Sequence, residues 1–188
     1  MLSGLVASPT LDLSGRSRNF AASKLASTTV DQTAVASESS IRPVTRAAIS
    51  IEYASLRHGK HCPTGIYVTP STESVLIWDA VLFVHKGEPG DYAGSVLKFV
   101  VTFPDNYPDR PPTVRFVTDV FHPLVATQTG LFNLTARFRP WRPKEHHVHD
   151  MLYFVKTAFK GHALDRLNEM DVVNKEAFKY VLYFLDLF

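Results

Sequence analysis

Apolar residues recur along the chain with two different periods, and the changes between them predict the order of its elements. Residues 41–57 carry a repeat at helical spacing, which predicts an N-terminal helix with a narrow, weakly apolar face. The members of that face are Val44, Ala48, Ile51 and Ser55. Because Ser40 suits an N-cap and Gly59 suits a helix stop, the folded part is expected to begin near residue 40.

Four short segments rich in β-branched and aromatic residues follow this helix. They are Ile66–Thr69, Ser74–Val84, Ser95–Phe103 and Thr113–Val117. A glycine-containing turn at 86–94 and a proline-rich turn at 104–112 separate the later segments. Such short connections favour a four-stranded antiparallel meander, since parallel strands need longer crossovers.

The helical period returns near the end of the chain. Leu152, Val155 and Phe159 share one face of a helix that starts near Val148 and stops before Gly161. A last helix is predicted from Asn174 onward. Its apolar stripe is Phe178, Val181, Leu182 and Leu185, and further apolar or aromatic positions are Tyr180, Tyr183, Phe184, Leu187 and Phe188. The order of elements predicts an α+β fold with an N-terminal helix, an antiparallel meander and C-terminal helices.

The last helix is apolar on nearly all sides, and such a helix is not expected to lie on a solvated surface. One interpretation packs it between other elements of the same fold. The other places one face on the domain and offers Tyr180, Tyr183, Phe184, Leu187 and Phe188 to the helix of a binding partner.

Residues 1–39 are rich in Ser, Ala and Thr and show no sustained period, so we expect a disordered tail before a domain at 40–188. An alternative is a mitochondrial transit peptide, because Arg16, Arg18 and Lys24 outnumber Asp12. The first residues do not have the basic start that a secretory signal needs.

The composition narrows the classes of function. A net charge of +2 gives no general electrostatic case for nucleic-acid binding. No apolar run approaches the roughly 20 residues of a membrane span. The single cysteine, Cys62, excludes an internal disulfide and a cysteine-based zinc site, and it fits a reducing compartment such as the cytoplasm. No cofactor is expected.

Two polar clusters admit alternative interpretations. Glu145, His146, His147 and His149 suggest a metal site, but their spacing lacks a helical His-x-x-x-His pair, so a solvated loop or helix start is the preferred interpretation. Basic residues also surround Trp141, which is expected in the core. They are Arg137, Arg139, Arg142 and Lys144, and they form either a solvated face or a contact with an acidic partner.

Several short motifs occur in one order over roughly 80 residues. They are Gly65-Ile66-Tyr67-Val68, Trp78-Asp79-Ala80, Tyr92-Ala93-Gly94, Phe103-Pro104-Asp105-Asn106-Tyr107-Pro108-Asp109-Arg110-Pro111-Pro112, Val114-Arg115-Phe116, Phe121-His122-Pro123 and Trp141-Arg142-Pro143. In this order and at this spacing they resemble the core of ubiquitin-conjugating (UBC) enzymes. The resemblance implies a UBC-like fold.

The resemblance also implies which residues stand at the catalytic positions. In that family a cysteine lies three residues after a glycine and eight before a tryptophan, and Gly130 and Trp141 place this position at Asn133. An amide is no nucleophile and cannot form a thioester. The family's His-Pro-Asn motif reads His122-Pro123-Leu124, so the oxyanion-stabilising amide is replaced as well. The chain is therefore expected not to be an enzyme, and Cys62, about 70 residues upstream, is no substitute.

Among inactive members of the family, the chain is similar to the fused-toes (FTS, or AKT-interacting protein) group through Val120-Phe121-His122-Pro123-Leu124-Val125. That resemblance implies an adaptor that joins a Hook-type coiled-coil protein and an FHIP-type protein to link endosomal cargo to dynein. A cytoplasmic protein, carried on endosomes by its partners, is then expected. The alternatives are a variant that binds ubiquitin or assists an active conjugating enzyme, and an active enzyme that uses an unusual residue.

Overall fold

The computed structural model describes residues 41–86, 92–164 and 166–185, with side chains in the last helix described as far as Leu182. The expected tail at 1–39 and the expected N-cap Ser40 lie outside these residues, so the division into tail and domain stays a prediction. Among the described residues, no helix combines the length and the apolar character that crossing a membrane requires.

The first helix, α1, spans Pro43–Ser55 and confirms the expected N-terminal helix. Proline suits its first position, because the amide proton that proline lacks would have no partner there. The expected apolar face is wrong, however. The inward residues are Thr45, Ile49 and Glu52, whereas Val44 and Ile51 are exposed. The reason is that two of the three inward side chains are held by hydrogen bonds, which a search for apolar periodicity does not detect.

The four strands are β1 (Ile66–Pro70), β2 (Ile77–Phe83), β3 (Val96–Thr102) and β4 (Thr113–Phe116). They form one sheet in the order β1-β2-β3-β4 with every neighbouring pair antiparallel, so the predicted meander is confirmed. Trp78 lies opposite Val101, which in turn lies opposite Val114. All three are fully buried, so this row crosses the inner face of the sheet.

After the sheet, a short 3₁₀ helix at Leu134–Ala136 precedes helix α2 (Val148–Ala158) and the one-turn helix α3 (Gly161–Leu164). Leu152, Val155 and Phe159 are buried as their spacing predicted. They pack with the inner face of the sheet, and this is the core of the domain.

A second 3₁₀ helix at Glu169–Asp171 leads to the last helix, α4 (Lys175–Leu185). Its described buried side chains are Ala177 and Val181. Leu182, which the pattern placed on the same apolar stripe as Val181, is 44% exposed, so that part of the prediction is wrong. Ala177 and Val181 lie one turn apart on the same face of the helix, and Leu182 lies about 100° away from Val181 around the helix axis.

Candidate functional site

The segment that leads to Asn133 is held against the edge of the sheet. Gly130 has a φ of 68°, and a Cβ atom there would clash with the carbonyl oxygen of Phe116. Only glycine therefore fits this close approach. Phe132 then pairs with Val125 in an isolated bridge, so Asn133 emerges at a defined place beside the loop that contains Leu124.

Both ends of the Asn133 amide have hydrogen-bond partners. Its Oδ1 accepts from the backbone N–H of Thr135 at 3.1 Å and from the Thr135 hydroxyl at 2.6 Å, which caps the first 3₁₀ helix. Its Nδ2 donates to the carbonyl oxygen of Asp171 at 2.7 Å. The side chain is half-buried and acts as a structural connector in this geometry.

Leu124 lies directly beside Asn133, since its carbonyl oxygen accepts the Asn133 backbone N–H at 2.8 Å. Its side chain is 1% exposed and belongs to the hydrophobic core. Position 124 therefore offers an apolar group in a pocket that excludes water, with no side-chain donor for an oxyanion.

His122 positions this loop from inside the core. Its Nδ1 accepts from the backbone N–H of Leu124 at 3.0 Å, and its Nε2 donates to the carbonyl oxygen of Ala158 at 2.9 Å. Burial lowers the pKa of the imidazole to about 4, against the smaller opposing effect of the Ala158 hydrogen bond. The ring is thus neutral at physiological pH and ties the loop to the end of α2.

The segment Asp171–Asn174, here called the strap, is tied to the same loop. The backbone N–H groups of Val173 and Asn174 both donate to the carbonyl oxygen of Pro123 at 3.0 Å. Together with the bond between Asn133 and Asp171, they hold the strap against both positions that the sequence analysis singled out. Sequence reasoning missed the strap, because it contributes backbone groups that no residue pattern marks.

Cys62 lies apart from this site, before β1. It is half-buried, its Sγ lies 3.4 Å from the carbonyl oxygen of Ile66, and burial raises the pKa of its thiol. A raised pKa leaves less of the reactive thiolate at neutral pH.

A second polar cluster surrounds Glu52 on α1. Its carboxylate accepts from the Tyr107 hydroxyl at 3.0 Å and from the Val148 backbone N–H at 3.1 Å, and it lies 3.0 Å from Nδ1 of His147. Burial and the neighbouring carboxylate raise the pKa of Tyr107. Since Thr45 also donates its hydroxyl to the carbonyl oxygen of Asp105 at 2.8 Å, α1 is attached to the proline-rich turn through polar groups.

The histidines that suggested a metal site are distributed over different contacts. Nδ1 of His146 accepts from the backbone N–H of Arg142, whereas His149 stacks between His61 and His147 with ring centroids 4.4 and 5.4 Å away. Burial lowers the pKa of His149. In the part of the chain that the structure describes, no group of three or more His, Cys, Asp or Glu residues could hold a metal ion.

The basic stretch is partly used within the domain. Arg142 pairs with Glu145 at 2.8 Å, and the guanidinium of Arg139 donates to the Thr135 hydroxyl at 3.3 Å. Trp141 is half-buried against the core and donates its indole N–H to the carbonyl oxygen of Pro108 at 2.8 Å.

Of the residues expected to meet a partner, only Tyr180 has a described side chain. It is 48% exposed, and its ring lies 6.2 Å from that of Phe121, which is 50% exposed. The side chains of Tyr183 and Phe184 are outside the described part, as are Leu187 and Phe188 altogether. We call the pair Phe121 and Tyr180 the α4 surface. Sequence reasoning did not place Phe121 in this surface, because its contact with Tyr180 joins distant segments of the chain.

Comparison with known proteins places this geometry in a family. The sequence profile described as "Ubiquitin-conjugating enzyme" matches residues 48–180. The AKT-interacting protein of Danio rerio is 40% identical over 124 residues, which are 65% of this chain and 39% of that protein. The protein crossbronx homolog of Anopheles gambiae is 35% identical over 120 residues, 63% of this chain and 51% of that protein. The chain thus spans about two fifths to one half of the length of these curated relatives.

Solved structures of low sequence identity share the fold. The human ubiquitin-conjugating enzyme E2 G1 superposes with a TM-score of 0.54 at 24% identity, covering 63% of this chain and 96% of that one. A protein described as a novel ubiquitin-conjugating enzyme gives a TM-score of 0.58 at 21% identity, covering 75% and 87%. These matches confirm the predicted UBC-like α+β fold.

Proposed function

The chain belongs to the ubiquitin-conjugating enzyme family, and from this premise we propose that it is a non-catalytic member that works as an adaptor. In this proposal it is the fused-toes-type subunit of a complex with a Hook-type coiled-coil protein and an FHIP-type protein. The complex links endosomal cargo to dynein, which puts the chain in the cytoplasm and, through its partners, on endosomes.

The observation that carries the proposal is the environment of Asn133. If position 133 is the family's cysteine position, its side chain is an amide that already bonds Thr135 and Asp171, and no thiol stands there to accept ubiquitin. If position 124 is the family's asparagine position, it holds a buried leucine with no polar group. The residues at both positions serve folding, which is consistent with a fold retained for binding.

The relatives support a role in protein binding without identifying the Hook-type or FHIP-type partners. The matching proteins from Danio rerio and Salmo salar are named AKT-interacting protein, a name that describes a protein that contacts another protein. The α4 surface fits such a role, because its two aromatic side chains, Phe121 and Tyr180, are half exposed and lie with ring centroids 6.2 Å apart. We propose this surface as the contact with the Hook-type coiled coil.

The alternative, a variant that binds ubiquitin or assists an active conjugating enzyme, is supported by a different surface. The outer face of the sheet exposes Tyr67, Phe83, Val96 and Val117. A shallow hollow of about 400 Å³ lies among Tyr67, Val81 and Val100. An apolar sheet face of this kind suits a globular partner better than a single helix.

Two experiments test the proposal. Incubation of the chain with activating enzyme, ATP and ubiquitin should give no reducible adduct, and an adduct on Cys62 or any other residue would overturn the non-catalytic assignment. Affinity purification from cells should recover the Hook-type and FHIP-type proteins. Recovery of ubiquitin or an active conjugating enzyme in their place supports the alternative.

Point variants locate the partner surface. Tyr180→Glu and Phe121→Glu should each abolish recovery of the Hook-type protein, because a carboxylate would have to be buried without a partner. Tyr67→Glu on the sheet is the matched control and should leave recovery unchanged. The opposite pattern, with loss only in Tyr67→Glu, would move the contact to the sheet.

A further inference from the structure

A cavity opens between the end of strand β2 and the end of helix α2, and we call it the α2 cavity. Residues 82–85 line it on the side of β2, and Lys156, Phe159 and Lys160 line it on the side of α2. Its volume is about 330 Å³. Sites for small molecules span roughly 300–1,000 Å³, and a cavity of roughly 150 Å³ holds the six carbon atoms of benzene. The α2 cavity therefore has the size of a site for a small organic ligand.

The inner wall of the α2 cavity is apolar. Leu82 and Phe159 line it and are each 1% exposed, so the wall is part of the hydrophobic core. Val84 also lines it and packs against the same core. A wall of this composition stabilises an aliphatic group by removing it from water and by close contact.

The ionisable groups at the α2 cavity are basic. They are His85, Lys156 and Lys160, and no Asp or Glu occurs among the lining residues in the part of the chain that the structure describes. Nζ of Lys156 donates to the carbonyl oxygen of Thr64 at 2.7 Å, which fixes the ammonium group at the cavity. The carbonyl is neutral and takes one of three donor hydrogens, so Lys156 offers its charge and further donors to an anion.

The end of helix α2 does not cancel this positive charge. The helix ends at Ala158, between Lys156 and Lys160 in the sequence, and a helix C-terminus carries the equivalent of about half a negative charge. One lysine carries a full positive charge. Lys156 alone therefore exceeds the charge of the helix end, and the electrostatic field at the cavity favours an anionic ligand.

From these observations we infer that the α2 cavity binds a medium-chain carboxylate of about eight carbon atoms, with its aliphatic chain against Leu82 and Phe159 and its carboxylate on Lys156. A small polar anion would leave the apolar wall uncovered, and an uncharged aliphatic molecule would leave the charge of Lys156 uncompensated. The inference goes beyond the proposed function, because it assigns a small-molecule ligand to a protein proposed as an adaptor.

Straight-chain probes test the inference directly. Hexanoate, octanoate, octanol and octylamine are titrated into the full chain, and affinities are measured from NMR shifts of the backbone amides. Each buried methylene should tighten binding about fourfold, so octanoate should bind roughly 15-fold more tightly than hexanoate. Octanol and octylamine should bind at least about tenfold more weakly than octanoate, because neither brings a negative charge to Lys156.

Two results of this titration would overturn the inference. Equal affinities of hexanoate and octanoate would show that the chain stays outside the apolar wall, and equal affinities of octanoate and octylamine would show that no cation is involved. The largest shifts should fall on residues 82–85 and 156–160, and shifts confined to other residues would also overturn it.

A matched pair of lysine variants assigns the carboxylate. Lys156→Gln keeps a donor for the carbonyl of Thr64 but removes the charge, and it should weaken octanoate binding at least about tenfold. Lys98→Gln, which changes an exposed lysine on the outer face of the sheet, should leave binding unchanged. Thermal unfolding of the ligand-free proteins should be alike for all three. Wild-type octanoate affinity in Lys156→Gln would overturn the inference.

Val84→Phe tests the cavity rather than the charge. The larger ring takes up part of the space for the chain, so the roughly 15-fold preference for octanoate over hexanoate should fall towards unity. An unchanged preference in the folded variant would contradict the placement of the chain. Vesicles of phosphatidylserine and phosphatidylcholine should not displace octanoate from the wild type. Displacement would overturn the inference, because the occupant would then be a membrane lipid.

Discussion

The side-chain amide of Asn133 donates to the backbone carbonyl of Asp171 at 2.7 Å, across 38 residues of sequence. This bond joins the segment that leads to Asn133, at the edge of the sheet, to the strap. The oxygen of the same amide caps a 3₁₀ helix, so the oxygen and the nitrogen stabilise different parts of the structure. Substitutions at position 133 can separate these two contributions.

We expect Asn133→Ala to lower the free energy of unfolding by about 1–2 kcal/mol, because it removes a cap and a hydrogen bond. Asn133→Asp keeps the capping oxygen but replaces the donor by a carboxylate that faces the carbonyl of Asp171. Both variants should therefore increase hydrogen exchange of the strap amides of Val173 and Asn174, whereas only Asn133→Ala should release the cap at Thr135. Strap protection that stays at the wild-type level in both variants would contradict this account.

Restoring an amide at position 124 should destabilise the fold. Leu124 is 1% exposed in the core, and an asparagine there would bury a polar group without a partner. We expect Leu124→Asn to cost about 2–5 kcal/mol in urea unfolding. Leu124→Met is the volume-conserving control and should cost less than about 1.5 kcal/mol. Equal stability of the two variants would show that the pocket accepts a polar group.

Substitution of Glu52 should lower the free energy of unfolding more than substitution at most other positions of α1, although Glu52 is a charged residue. Glu52→Ala leaves the Tyr107 hydroxyl and the Val148 N–H without their acceptor, and each unpaired buried group costs about 1–3 kcal/mol. We therefore expect a loss of about 3–5 kcal/mol by chemical denaturation. Glu73→Ala, at an exposed position, should change stability by no more than about 0.5 kcal/mol. A cost below about 1 kcal/mol for Glu52→Ala would mean that water replaces the carboxylate.

Glu52 also explains where the sequence was a good guide and where it was not. Residue patterns predicted strands β2 and β3 because their inner positions, such as Trp78 and Val101, are apolar. Burial of apolar surface stabilises these positions without any specific polar partner. The inward face of α1 is held by Thr45 and Glu52 through hydrogen bonds, so the apolar period pointed to the outward side. That outward side exposes Val44 and Ile51, two of the four residues of the predicted face.

The candidate site likewise contains residues that sequence motifs located and residues that they did not. Spacing from Gly130 and Trp141 led to Asn133, and the pair His122-Pro123 led to Leu124. It gave no hint of Asp171, which contributes a backbone carbonyl that any residue type supplies. Phe121 was passed over because its ring contact with Tyr180 joins segments nearly 60 residues apart, beyond the reach of a local period.

The burial of His122 makes stability depend on pH in a predictable direction. Its pKa is about 4 in the folded state, below the value near 6.5 expected in the unfolded chain, so the unfolded state binds more protons between these values. Stability is therefore fully present above pH 6.5 and is lost as the pH falls towards 4, by up to roughly 3 kcal/mol from this one group. His149, whose pKa is also lowered by burial, acts in the same direction.

His122→Gln removes the titrating ring. It should be less stable than the wild type at pH 7.5, because the ring's two hydrogen bonds to Leu124 and Ala158 are disturbed. The difference between the two proteins should then shrink steadily from pH 6.5 to 4 in urea unfolding. Carboxylates titrate in both proteins and cancel in that difference, so curves that stay parallel over this range would contradict the assignment to His122.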